Sequence, residues 1–153
     1  MPEIRTYKIP ELIVIERLSH KLPDYSTLDY LTQVVRNLGL QGLDHLQETP
    51  RVGVMNNGNT AYFLETGTQR STWLFLNGLD TIEAETRHIR MGSTDHEQFK
   101  QKARENFGIG IYSPVDLADR VRMQYDPGRF SMLGEPKVTI TIEDLLHCRQ
   151  IEL

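Results

Sequence analysis

The tetrapeptide Asn56-Asn57-Gly58-Asn59, set between the apolar runs Val52-Gly53-Val54-Met55 and Ala61-Tyr62-Phe63-Leu64, constrains the fold of this chain more than any other stretch. Asparagine and glycine tolerate the positive φ that a tight hairpin turn demands, so residues 51 to 66 read as two antiparallel strands turning at Asn57-Gly58. Thr72-Trp73-Leu74-Phe75-Leu76 follows as an expected third strand. Asn77-Gly78 then offers a second turn before a fourth strand over Ile82 to Met91.

The remaining elements are read around this hairpin. Residues 4 to 18 carry Ile4, Ile9, Leu12, Ile13, Val14, Ile15 and Leu18, interrupted by Pro10, which has no N–H for a ladder. They read as one long strand, bent or bulged at the proline. Leu28, Leu31, Val35 and Leu38 recur at helical spacing between a cap at Asp24 or Ser26 and a stop at Gly39. The stretch from Gln41 to Pro50 is polar connection. Ser93, Thr94 or Asp95 can cap a helix to Asn106 with a thin apolar side of Phe99, Ala103 and Phe107, fit to cover a sheet with one face only. Ser113-Pro114-Val115-Asp116 is a well-formed helix start, with serine at the cap, proline first and an acid third. Short strands are expected at Gly108 to Tyr112 and, from the alternation of Val138, Ile140 and Ile142 with threonines, at Lys137 to Ile142. The sum is a single α+β domain over residues 1–153, a mainly antiparallel sheet with two or three helices packed on it.

Size and charge agree with one soluble core. A chain of 153 residues buries roughly 68–70% of its unfolded surface, enough for one core and not two. The formal net charge of −4 gives no electrostatic footprint for nucleic acid, which is not an expected partner. Arginines outnumber lysines, a hint of anion contacts whose simpler explanation is ordinary surface ion pairing. The single cysteine, Cys148, cannot form an internal disulfide, which suits a reducing, cytoplasmic setting. No run of about 18 apolar residues appears, so no membrane partner is expected.

The search for chemistry is mostly negative. His20, His45, His88, His96 and His147 show no spacing that puts two on one face of an element, and no catalytic or metal-ligating set and no cofactor is expected. Asp95-His96-Glu97 is the densest cluster, and a helix N-terminus accounts for its acids. Cys148 lies among Leu145, Leu146 and Ile151, as a packed thiol does. Glu65 is the best site candidate. It ends an apolar strand near Tyr62 and Trp73, and a carboxylate on a concave sheet lined by aromatics receives a cationic ligand through charge and ring faces. The plainer alternative has Glu65 pointing to solvent and both aromatics in the core. Ile142, Leu145, Leu146, Ile151 and Leu153 form an apolar tail that packs on its own domain or joins a homo-oligomer.

The opening Ile4-Arg5-Thr6-Tyr7-Lys8-Ile9-Pro10-Glu11-Leu12-Ile13-Val14-Ile15-Glu16 resembles the first strand of gyrase-inhibitor-like bacterial effector-binding domains, and the amphipathic helix that follows fits the order of elements in that family. The resemblance implies a pseudo-symmetric pair of β-α-β-β units around a pocket for small aromatic or cationic molecules, with an acid inside. It covers about the first forty residues. The helix at Pro114 to Tyr125 and the segment after Lys137 have no counterpart in it. The expected function is that of a small-molecule ligand-binding or regulatory domain without catalysis, with Glu65, Tyr62 and Trp73 as ligand-binding residues. The alternatives are a small metal- or acid/base-dependent enzyme and an adaptor or assembly protein acting through its C-terminal tail.

Overall fold

The computed structural model describes residues 2–14, 25–46, 49–107 and 113–124. The hairpin forms as expected: β3 (Arg51–Asn57) and β4 (Asn59–Thr66) pair antiparallel, with Val54 opposite Tyr62 and Asn56 opposite Thr60. Gly58 stands at its tip with φ of 80°. A Cβ there would meet open space, so the positive φ, not crowding, calls for glycine.

The first strand breaks at Pro10 more sharply than a bend. β1 (Glu3–Lys8) ends in a turn of 3-10 helix over Ile9–Glu11, and β2 (Leu12–Val14) resumes in the same direction. β1 pairs antiparallel with β5 (Thr81–Ile89), while β2 pairs parallel with β4. The sheet order is β1-β5-β3-β4-β2, so one continuous run supplies both edges. In a flat sheet those edges would lie roughly 19 Å apart, at about 4.8 Å per strand. Three intervening residues in a 3-10 turn advance the chain on the order of 8 Å. The sheet must therefore curl, and the rings of Tyr7 on β1 and Tyr62 on β4, three strand positions apart, meet with centroids 5.5 Å from each other.

Two expectations are corrected. The run Thr72-Trp73-Leu74-Phe75-Leu76 is not a strand but the end of α2 (Thr68–Leu76). Gly67, at φ 100°, ends β4, and the Ser71 and Thr72 hydroxyls then donate to the Thr68 carbonyl at 3.0 and 2.8 Å, a helical pattern. The helix is buried from Ser71 to Leu76, so its apolar run shows no period that separates helix from strand. The second correction follows from the first. The sheet is mixed, with two antiparallel and two parallel pairings: a helix in place of a strand returns the chain as β5 parallel to β3, and β2, which keeps the direction of β1, lies parallel to β4. With α1 (Tyr25–Leu38), α3 (Thr94–Phe107) and α4 (Pro114–Gln124), the described residues hold four α-helices, one more than the upper expectation.

Alternation along the strands sorts side chains onto two faces. The concave face carries Tyr7, Leu12, Val14, Val52, Leu64, Ile82 and Ala84, which join Leu28, Leu31 and Val35 of α1, Trp73 and Phe75 of α2, and Val115, Leu117 and Val121 of α4 in the main core. These helices close one end of the curl. The convex face holds a smaller cluster of Ile13, Met55, Ala61, Phe63 and Ile89, covered by α3, whose Phe99 meets Phe63 edge-on at 4.5 Å. Of the apolar side read for α3, Phe99 makes this contact, and the side chains of Ala103 and Phe107 lie outside the described ones.

The expected strands at 108–112 and 137–142, Cys148, His20, His147 and the apolar tail lie outside the described residues. No described helix is long and apolar enough to cross a membrane.

Candidate functional site

At the end of the concave face away from α1, α2 and α4, the curled sheet leaves an open groove of about 700 Å³. Four of the five strands contribute through their inward-facing positions: Arg5 from β1, Val54 and Asn56 from β3, Thr60 and Tyr62 from β4, and His88 from β5. Val54 lies on the floor between Tyr62 and His88, its two register partners. Ile89, the last residue of β5, borders the wall although its side chain packs on the convex face, and the chain beyond it adds Arg90 and Met91. The sheet's mixed pairing makes this convergence, because parallel register between β3 and β5 sets His88 beside Val54.

The groove is positive at its rim. Arg5 and Arg90 line it beside His88, no carboxylate is among its described lining residues, and that of Glu3 contacts Arg5 and His88. Arg5 Nε donates to Glu3 Oε1 at 2.6 Å, and His88 Nε2 lies 2.9 Å from Oε2, so two groups hold the two oxygens of one carboxylate. The hydrogen bond from His88, then that from Arg5, pulls the Glu3 carboxyl below its ordinary range. Tyr62 is half-buried with its ring against Tyr7, whose hydroxyl is hydrogen-bonded to that of Thr86, fixing the inner wall.

The three site residues expected from the sequence do not come together. Tyr62 lies in the groove. Trp73 is fully buried in α2, and its indole Nε1 donates to Thr32 Oγ1 of α1 at 2.9 Å, which uses its one polar group inside the core. Glu65 is on the opposite face. The register slips between Arg51 and Val52, making Glu65 the extra residue of a β-bulge, and its carboxylate takes a two-pronged contact from Arg87, with Arg87 Nε at 3.0 Å from Oε2. That contact holds the Arg87 guanidinium proton more tightly than usual. Asp95 at the start of α3 stands 3.8 Å from Arg87 on its other side. Gly53 leaves the space the pair fills: a Cβ there would come within 2.7 Å of Ile89 Cδ1 and 3.4 Å of the Glu65 carboxyl carbon.

The Asp95-His96-Glu97 cluster is structural in this geometry. Ser93 Oγ accepts the His96 N–H at 3.1 Å as the helix cap, and buried His96 accepts the Gly92 N–H on Nδ1 at 3.0 Å. No three metal-ligating side chains converge among the described residues. A second cavity of about 160 Å³, between Ile4, Asp44, Leu46, Pro50, Arg70 and Glu83, is smaller and mixed in charge.

Arg5, His88, Arg90, Asn56 and Thr60 were not singled out by sequence. Their signal is weak, since four are ordinary polar residues at inward strand positions, Arg90 follows β5, and only the curl and register gather them. Comparison with protein-family models gives no match, and comparison with curated proteins gives none.

Proposed function

We propose that this chain is a small-molecule-binding domain without catalytic activity of its own, and that the groove at the open end of the concave face is its site. The observation that carries this reading is the convergence of Arg5, Asn56, Thr60, Tyr62, His88 and Arg90 around an apolar floor of Val54, in a space the size of small-ligand sites. Binding is the reading adopted because the groove sets polar side chains around an apolar floor, as small-ligand sites do. The resemblance of residues 4 to 16 to effector-binding domains adds support of the same kind. β2, α1, β3 and β4 form one β-α-β-β unit in sequence order, and the described residues contain no second. The cationic ligand expected from Glu65 gives way in this reading, because that carboxylate is engaged by Arg87 on the other face.

A thermal-shift screen of small molecules tests the proposal, since a compound that binds only the native state stabilises it by mass action. Hits should lose their effect in Asn56→Trp, where an exposed groove residue is replaced by a side chain that fills the space. A screen without hits, or hits indifferent to Asn56→Trp, rejects the reading.

A further inference from the structure

We propose that the groove selects a small organic anion, a carboxylate on an aromatic body, and that Glu3 occupies the anion's place in the free protein. This rests on the groove being a ligand site. The warrant is that a carboxylate is already held at its rim, supplied by the chain itself. Arg5 reaches one oxygen of Glu3 at 2.6 Å and His88 contacts the other at 2.9 Å, an arrangement that fits any planar carboxylate. Arg90 lies on the same wall and, among the described residues, makes no ion pair, so a positive charge remains for a ligand to meet. The rim is thus cationic in a chain of net charge −4.

The body of the ligand follows from the neighbouring wall. Val54 and Met91 give apolar surface, and Tyr62 presents a half-buried ring. An aryl group lies well against such a surface while its carboxylate faces the rim. Glu3, Arg5 and His88 are all substantially exposed, and exposed ion pairs are held weakly. An incoming carboxylate therefore exchanges with Glu3 without breaking the sheet. The Glu3 side chain acts as a tethered competitor that raises the ligand concentration needed for occupancy.

The test uses benzoate, its neutral counterpart benzamide and inorganic phosphate, titrated calorimetrically into the wild-type chain, Glu3→Gln, Arg90→Gln and the remote charge control Glu97→Gln. Benzoate should bind at least tenfold more tightly than benzamide and than phosphate. Glu3→Gln should tighten benzoate about three- to tenfold, Arg90→Gln should weaken it by a similar factor, and Glu97→Gln should leave it within twofold. Circular dichroism of each variant separates loss of binding from loss of fold. Equal binding of benzoate and benzamide, abolished by Asn56→Trp, overturns the anion preference and leaves the groove as a ligand site. Tightening by Glu97→Gln as large as by Glu3→Gln, or none by Glu3→Gln, overturns the competitor role. Absence of binding by any probe overturns the anion preference, and the groove itself falls only if the broad screen also yields no hit sensitive to Asn56→Trp.

Discussion

The two faces of the curled sheet each carry a glutamate held by an arginine, and the two pairs are built for different purposes. On the convex face, Glu65 is 9% exposed at the side chain, lies on a bulge above Gly53, and is gripped by Arg87 at the foot of α3. On the concave face, Glu3 is 43% exposed and spans Arg5 and His88 at the mouth of an open groove. The chemistry is the same and the solvent access is not. Burial makes the first pair part of the architecture, since removing Arg87 strands a carboxylate that water barely reaches. Exposure makes the second exchangeable, because water can take the place of either partner and another anion that of Glu3.

The largest effect that separates the two pairs is expected from Glu65→Ala. It leaves Arg87 facing a cavity, and with Arg87 itself about a third exposed the loss should be about 2–3 kcal/mol, below the full cost of a buried unpaired charge. Urea unfolding measures it, and a loss under 0.5 kcal/mol, on the order of a surface substitution, would erase the distinction between the faces. Gly53→Ala comes next, at about 1–2 kcal/mol, because the added methyl must displace Ile89 and crowd Glu65. If the convex pair governs that cost, Gly53→Ala and Glu65→Ala combined should destabilise less than the sum of the two, since both act on one contact. Simple additivity would separate them.

Smallest is the pH dependence of the concave pair. The Glu3 carboxyl titrates below its ordinary range in the folded chain, so its contribution is present at neutral pH and is lost as pH falls through that lowered value. Wild-type and Glu3→Gln should thus differ slightly in melting temperature near neutrality and converge in acid. A difference that grows on acidification contradicts the pairing of Glu3 with Arg5 and His88.

Local rules were legible where a single segment carries the whole signal. The hairpin at Gly58, the stop of α1 at Gly39, and the start of α4, where the Ser113 N–H donates to Asp116 Oδ2 at 3.1 Å, all follow from residues a few positions apart. Thr72 to Leu76 misled because burial on every side removes the polar positions from which a period is read. Glu65 misled for another reason: the bulge and the position of Arg87, 22 residues away, decide its surroundings. The groove depends on longer range still, since Glu3 and His88 are 85 residues apart and meet only through the β1–β5 pairing. Tyr62 was singled out from sequence because an aromatic on a predicted strand stands out, while Arg5 and His88 look like any surface residue until the sheet curls.

A titration of isotope-labelled protein with benzoate, followed by amide chemical shifts, tests the contrast between the faces most directly. Shifts should gather at Arg5, Val54, Asn56, Thr60, Tyr62, His88 and Arg90, with Glu3 moving as its carboxylate is displaced, while Gly53, Glu65 and Arg87 stay within error. Shifts centred on Glu65, Arg87 and Asp95, or spread evenly over both faces, would contradict the assignment of the exchangeable pair to the concave groove.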